Sequence, residues 1–315
     1  MRFGYLGPQA TFTEAALIRL LEDRGFEEAE RVPMKDVDSA LAAVAAGDLD
    51  ATVVPIENSV EGSVPATLDA LSRHGSLQIV AETLVPITFV LAGMPGTTLA
   101  DVRAWSTHPH AEAQVRRWVA EHLGAEYRPA SSTAAAARDL AAGTTEYQAT
   151  VVPRLAAETY GLDVLAEDIG DRADAVTRFV MVRTPGRLPR ATGADKTTVV
   201  IALASDRSGS LMEMLSHFQD AGINLSRIES RPTGDGMGLY QFSIDFLGHI
   251  HEARVAEALT GIHRVTRDLQ FLGSYPTADG SGADVTPEIS DAAYADAQAW
   301  LQRILTTGDG PAATD

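Results

Sequence analysis

Four stretches of this sequence carry side chains that can do chemistry. The first is Val54-Pro55-Ile56-Glu57-Asn58-Ser59-Val60-Glu61-Gly62-Ser63-Val64-Pro65. A strand is expected to end there at a polar turn, with a helix beginning at Ser63 and Pro65 in its first turn. Exposed amides at a helix start suit a carboxylate, and Asn58 and Ser59 add donors without adding charge. The same residues would equally make a capped turn. Thr11 and Thr13 stand at a second helix start, where Thr11 already has a capping role, and Ser132 and Thr133 repeat the arrangement. Three hydroxyl-bearing helix N-termini, each at the C-terminal end of a strand, point to an anionic ligand. Thr107-His108-Pro109-His110-Ala111-Glu112 has superficial metal spacing. Pro109 redirects the chain between the two histidines and no further ligand clusters with them, so the expectation is no metal, with one of the two histidines as a donor near the site. The fourth stretch runs from Asp171 through Asp174, Ala175 and Val176 to Thr177-Arg178-Phe179. A Thr-Arg pair where a loop meets a strand can bring a hydroxyl and a guanidinium to one anion, or Arg178 can make a surface ion pair. The residues alone leave that open.

The elements that must position these groups alternate between strand and helix. A strand over residues 2–6 precedes the turn at Gly7-Pro8. Thr11-Phe12-Thr13-Glu14 reads as a capping box, and Leu17, Leu20 and Leu21 follow at helical spacing until Gly25. A second helix ends at Gly47, and Ala51-Thr52-Val53-Val54-Pro55 is a strand. That segment recurs as Ala149-Thr150-Val151-Val152-Pro153, again after an alanine-rich helix and a glycine. The repeat predicts two similar α/β lobes: lobe one from residues 1–83 plus 165–183, lobe two from 84–164. A chain that leaves one lobe and returns leaves a cleft with a hinge at the crossings.

Residues 184–195, rich in proline and glycine, read as a linker. Beyond them, over 196–275, come a β-branched strand at 197–203, a helix opened by Ser208-Gly209-Ser210, and a strand at 223–230. A turn at Gly234-Asp235-Gly236, a strand from Leu239, a helix over 251–259 and a strand over 265–272 follow. That order is βαββαβ, a ferredoxin-like unit. In the tail, 276–315, Thr286-Pro287 is expected to cap one short helix. Its Tyr294, Ala297, Leu301 and Ile304 share a face, which is expected to pack on its own protomer.

Bulk properties bound the function. The 315 residues exceed one typical core and suggest two domains. A net charge of −18 without a basic stretch argues against nucleic acid, and any anion site must be built locally against the global field. With no cysteine there are no disulfides, thiolate nucleophiles or cysteine-ligated metals. No apolar run reaches membrane-spanning length, and the early glycines break any signal-peptide pattern, so a cytoplasmic location with no membrane partner is expected.

Three motifs stand together in order and spacing. Gly7-Pro8-x-x-Thr11-Phe12-Thr13-Glu14, Pro55-Ile56-Glu57-Asn58-Ser59-x-x-Gly62-Ser63-Val64 and Thr177-Arg178-Phe179 resemble the motifs of prephenate dehydratases. Gly209-Ser210-Leu211 followed by Ile228-Glu229-Ser230-Arg231-Pro232 resembles the ACT regulatory domain fused to them. The resemblance covers residues 1 to 275. It implies a two-lobed, periplasmic-binding-protein-like α/β catalytic domain followed by a ferredoxin-like ACT domain. It also implies a lyase that turns prephenate into phenylpyruvate, carbon dioxide and water without a cofactor. Thr177 is then the catalytic residue. Thr11, Thr13, Asn58, Ser59, Gly62, His108, Ser132, Thr133, Arg178 and Phe179 become the expected substrate contacts. Phenylalanine is the implied effector, bound where ACT domains pair in a homodimer or homotetramer, with Gly209, Ser210, Leu211, Asn224, Leu225, Glu229 and Ser230 as its site. This chain departs from the family pattern at Thr107 and His110, where Ser and Gln are usual. It departs again at Asp174-Ala175, where an Asn usually precedes Thr-Arg-Phe, and at Ser210, where Ala is usual.

The chemistry then narrows the role of Thr177. Loss of carbon dioxide and hydroxide together aromatises the ring, and the barrier is departure of hydroxide. A hydroxyl is a weak acid, so Thr177 is expected to give a hydrogen bond that strengthens in the transition state. The ring carboxylate must shed its charge, so neutral donors such as Asn58, Ser59 and Thr11 are expected beside Arg178. Arogenate dehydration, the same reaction on the aminated substrate, is one alternative. A non-catalytic two-lobed amino-acid-sensing protein is another, which the intact Thr177-Arg178-Phe179 argues against.

Overall fold

The computed structural model describes residues 1–205, 207–233 and 240–308. The turn expected at Gly234-Asp235-Gly236 and the strand start expected at Leu239 lie outside the described residues. Contacts divide the chain into two compact units, Met1–Leu77 with Glu82–Thr184, and Gln78–Ala81 with Pro185–Asp315.

The first 183 residues form two sheets. The first contains β1 (Arg2–Leu6), β2 (Glu30–Met34), β3 (Ala51–Asn58), β4 (Gly62–Ser63), β5 (Gln78–Pro86) and β11 (Val176–Arg183), in the order β2-β1-β3-β11-β5 with β4 on β3. The second contains β6 (Val90–Gly93), β7 (Ala104–Thr107), β8 (Glu126–Pro129), β9 (Ala149–Val152) and β10 (Asp163–Ala166), in the order β10-β6-β9-β7-β8. Read from the other edge, the second sheet repeats the first. The parallel pairs β1·β2 and β1·β3 match β7·β8 and β7·β9, and the antiparallel pair β3·β11 matches β9·β6. The repeated Ala-Thr-Val-Val falls on β3 and β9, the central strand of each sheet. Central strands of such sheets are buried on both faces, which is why both copies are so apolar. Thr150 meets that demand by donating its hydroxyl to Ser106 O at 2.9 Å.

Each sheet takes its antiparallel strand, β11 or β6, from the chain that has just crossed from the other. The crossings fall at residues 87–89 and 167–175, not at 84 and 165, because residues 84–86 still belong to β5 and 165–166 to β10. The run Leu84-Val85-Pro86-Ile87-Thr88-Phe89-Val90 is apolar throughout, so hydropathy gives no break there. The crossings bond to each other: Ile87 N–H donates to Ala175 O at 2.8 Å and Ile169 N–H to Phe89 O at 3.1 Å.

Helices α1 (Phe12–Glu22), α2 (Val37–Ala46) and α3 (Pro65–Arg73) belong to lobe one. Helices α4 (Pro109–Glu112), α5 (Arg116–His122), α6 (Thr133–Ala141) and α7 (Arg154–Thr159) belong to lobe two. Helix α2 is delimited chemically, with Asp36 and Ser39 in a reciprocal capping box at its start and Gly47 at φ 81° at its end. Two expectations are corrected here. The helix after the Asn58 turn begins at Pro65, because Gly62 and Ser63 pair with β3 as a short strand. Strand β2 went unread because Pro33 and polar residues give it no clean alternation, as suits an edge strand.

The second unit is the βαββαβ fold: β12 (Asp195–Leu203), α8 (Ser210–Asp220), β13 (Leu225–Pro232), β14 (Tyr240–Leu247), α9 (Ala253–Val265) and β15 (Thr266–Pro276). Its sheet runs β13-β14-β12-β15. Ile201, Met214, Phe218, Phe246, Val255 and Ile262 interdigitate between sheet and helices. The last strand and α9 start and end a few residues later than periodicity indicated. In the tail, Thr286 opens only a 3₁₀ turn at Pro287–Ile289, and Ser290 caps a helix of 17 residues, α10 (Asp291–Thr307). With alanine-rich sequence and no proline or glycine until Gly308, nothing stops it earlier. Tyr294 and Ile304 are half-buried while Ala297 and Leu301 are exposed, so the expected packing face forms only in part. Asp291 ties the helix start to α9 by accepting from Ala253 N–H at 2.8 Å.

Candidate active site

Strands β3 and β11 pair antiparallel with Asn58 opposite Thr177 and Glu57 opposite Arg178. Side chains alternate across a sheet, so Thr177 and Phe179 share one face and Arg178 takes the other. The consequence is visible in the cleft between the lobes, a cavity of about 360 Å³. Thr177, Phe179, Asn58, Pro55 and Thr13 line it from lobe one, and Phe89, His108, Gln114 and Ser131 to Thr133 from lobe two.

Arg178 is turned away and only 5% exposed. Its Nε donates to Glu82 Oε2 at 2.5 Å and its Nη1 approaches Glu57 Oε2 at 3.4 Å. The expected guanidinium contact with substrate is therefore corrected: Arg178 is an ion-paired residue behind the sheet. Among the described residues no arginine or lysine lines the cleft.

Thr177 is fixed by a neighbour with several bonds. Asn58 Nδ2 donates to Thr177 Oγ1 at 2.7 Å, while Asn58 Oδ1 accepts from Val60 N–H at 2.8 Å and Glu61 N–H at 3.1 Å. The turn thus holds the amide, and the amide takes a lone pair of the threonine. The bond uses the acceptor side of the hydroxyl and leaves its donor capacity unspent.

The other expected contacts divide. Ser59 does not line the cleft; its hydroxyl accepts from Val176 N–H at 2.9 Å and its N–H donates to Val176 O at 2.9 Å, which anchors the start of β11. Gly62 serves the hairpin turn, at φ 86°. Thr11 is consumed as a cap, accepting from Glu14 N–H at 3.3 Å and donating to Leu6 O at 2.8 Å. The capping box is not reciprocal, because the Glu14 carboxylate accepts from Ala10 N–H at 2.5 Å instead. Thr13 and Thr133 face the cavity, and Ser132 does so while accepting from Ala135 N–H at 3.0 Å as the α6 cap. The α6 start therefore offers amides and hydroxyls to an anion.

His108 caps α4, its Nδ1 accepting from His110 N–H at 3.2 Å. Burial first, and then the charge of His110, pushes the His108 imidazole below its ordinary 6.5, with Glu61 acting in the other direction. His110 Nδ1 lies 3.1 Å from Glu61 Oε2, so the two lobes meet at this pair. Sequence reasoning missed Glu61, Gln114, Ser131 and the aromatic wall. Phe12 and Phe89 meet there edge to face with centroids 5.6 Å apart. The motif Glu61-Gly62 at a turn tip was the available signal for Glu61. Nothing local marks Phe89. No group of three or more metal-ligating side chains occurs among the described residues.

In the second unit a cavity of about 250 Å³ is lined by Gly209, Ser210 and Leu211 with Arg207, Tyr240 and Arg267. Gly209 sits at φ 90°, a left-handed conformation that turns the chain into α8. Asn224, Leu225, Glu229 and Ser230 do not line this cavity. They belong to β13 and the turn before it, on the edge of the sheet, where Asn224 O accepts from Leu247 N–H at 3.1 Å and Glu229 lies 4.0 Å from Arg231. The effector residues expected from sequence thus fall in two groups within one chain.

A two-lobed α/β cleft of the periplasmic-binding-protein-like type, with a hydroxyl and neutral donors facing its cavity, and a separate ferredoxin-like unit define a class: ACT-linked enzymes acting on small anions. Residues 3–187 match the prephenate dehydratase family model and residues 197–264 the ACT domain. A prephenate dehydratase of Mycolicibacterium vanbaalenii is 46% identical over 302 residues, 92% of this chain and 96% of that protein. One from Mycobacterium tuberculosis is 44% identical over 310 residues, 96% of this chain and 94% of that protein. The crystal structure of prephenate dehydratase from Arthrobacter aurescens, in complex with L-Phe, is similar with a TM-score of 0.91 and 54% identity over 97% of this chain and 99% of that one. The chain belongs to the prephenate dehydratase family: it is a hydro-lyase that converts prephenate to phenylpyruvate.

Proposed function

We propose that the cleft carries out this reaction with Thr177 as the donor to the departing hydroxide and with the α6 start and neighbouring hydroxyls as the carboxylate cradle. The observation that carries the reading is the 2.7 Å bond from Asn58 to Thr177 Oγ1. It leaves the donor capacity of the Thr177 hydroxyl, which lines the cavity, available to the substrate. The C1–carboxylate bond breaks, its electron pair enters the ring, and the C4–oxygen bond breaks as hydroxide leaves. One proton, delivered through the Thr177 hydroxyl and replaced from solvent, turns that hydroxide into water. A preoriented donor at the developing charge contributes on the order of 10²–10⁴-fold. Neutral donors suit the carboxylate that must lose its charge. Thr13, Ser132, Thr133 and His108 are among the donors that line the cavity.

Phenylalanine regulates through the second unit in this reading. The amides at Gly209 to Leu211, at a helix start, take the carboxylate of the amino acid. Two copies of the chain pair there as a homodimer or homotetramer, and Asn224, Leu225, Glu229 and Ser230 of a second copy complete the site. The split of these residues into two groups within one chain supports this. The enzyme works in the cytoplasm. No described helix is long and apolar enough to cross a membrane.

The test is purified protein with prephenate, and separately with arogenate, following phenylpyruvate or phenylalanine. Phenylpyruvate from prephenate, slowed by added phenylalanine, is the expected result. No product from either substrate overturns the catalytic reading, and turnover indifferent to phenylalanine overturns the effector. Light scattering with and without phenylalanine reports the pairing.

A further inference from the structure

The cleft contains a charge arrangement that the catalytic reading does not use. Its titratable lining groups are Glu61, His108 and His110. Glu61 stands on the lobe-one turn, and its N–H is fixed at 3.1 Å on Asn58 Oδ1, the same amide that orients Thr177. His110 stands on α4 of lobe two. Its N–H is held by His108 Nδ1 and its carbonyl accepts from Gln114 Nε2 at 3.2 Å. Both backbones are thus anchored, and the side chains meet at 3.1 Å. The contact is an ion pair only when His110 is protonated. A bare carboxylate at this position would repel a dianion, and no arginine or lysine among the described lining residues would offset it.

We propose that Glu61 and His110 together set which side chain the cleft admits: His110 occupies the Glu61 carboxylate so that a dianionic keto acid enters, and a freed Glu61 would hold the ammonium of the aminated analogue. Prephenate and arogenate differ at that group alone, keto against ammonium, so the pair is a specificity element and acts on binding. Both side chains are largely solvent-accessible, at 69% and 43%, and neither supports the core. Their variants are therefore expected to fold.

The proposal rests on the cleft being the catalytic site. The experiment measures kcat and KM of full-length wild type, His110→Gln, Glu61→Gln and the double variant on both substrates. His110→Gln is expected to raise the KM for prephenate on the order of tenfold and to lower that for arogenate, as a carboxylate freed at a binding surface does. Glu61→Gln is expected to shift the ratio the other way. The double variant is expected to return both KM values to within about threefold of wild type, because the pair acts as one unit. The changes fall on KM more than on kcat. An active wild type whose KM ratio moves less than twofold in His110→Gln overturns this proposal alone. So does a double variant that keeps the full defect of His110→Gln. A wild type inactive on both substrates overturns the cleft reading and this proposal with it.

Discussion

Asn58 Nδ2 lies 2.7 Å from Thr177 Oγ1, across the β3–β11 ladder where the two residues are directly paired. The bond consumes acceptor capacity on the threonine and none of its donor capacity. Removing the hydroxyl in Thr177→Val is expected to lower kcat on the order of 10²–10⁴-fold with little change in KM, and Thr177→Ser to retain most of it. Steady-state kinetics on prephenate checks this; a Thr177→Val enzyme within threefold of wild type would rule the role out.

Asn58→Ala should act through Thr177 and through the turn. The freed hydroxyl can rotate, and the amides of Val60 and Glu61 lose their acceptor. We expect kcat to fall on the order of tenfold and the fold to lose about 1–2 kcal/mol, measured by urea denaturation. Asn58→Asp keeps the acceptor for the amides but not the donor to Thr177. It should restore stability without restoring kcat.

The ion pair behind the sheet makes a different prediction. Arg178 and Glu82 are both buried, and Arg178→Leu leaves the Glu82 carboxylate without this partner. Breaking such a pair costs about 3–5 kcal/mol. The main effect of Arg178→Leu should appear as a lowered unfolding midpoint. If the variant were as stable as wild type and raised KM alone, Arg178 would be a substrate contact after all.

His108 gives a pH signature. Its folded-state pKa lies below the ordinary 6.5, chiefly because of burial. The unfolded chain therefore takes up this proton more readily than the folded one. The contribution to stability is intact above the unfolded value and is lost as pH falls below 6.5 toward the folded value. Replacing His108 with Asn should flatten that part of the acid limb in a plot of unfolding free energy against pH. An unchanged acid limb would show that His108 does not contribute.

In the regulatory unit, Gly209→Ala meets open space yet must hold φ 90°. The strain, about 1–2 kcal/mol, displaces the α8 start and should weaken inhibition by phenylalanine. Ser210→Ala should not, because Ser210 Oγ is buried without a hydrogen-bond partner among the described residues. Half-inhibition concentrations of phenylalanine for the two variants test the contrast.

Much of this protein was determined locally and was legible in the sequence. Thr11, Asp36 and Ser132 terminate helices by short-range bonds, and Gly47 ends one by its left-handed backbone. The repeated Ala-Thr-Val-Val marked the two central strands because a strand covered on both faces must be apolar. The motifs around Asn58 and Thr177 marked the family. What the sequence did not determine was where side chains point once strands pair. Thr177 and Arg178 are adjacent in the chain, and only the register of β11 on β3 sends one into the cleft and the other to Glu82. Ser59 looked like a cleft donor, but its hydroxyl is engaged by the distant Val176 N–H and does not line the cavity. The meeting of Glu61 with His110 exists only because two lobes, separated by a crossing of the chain, face each other. Contacts of that kind depend on the packing of distant segments, which local sequence patterns do not encode.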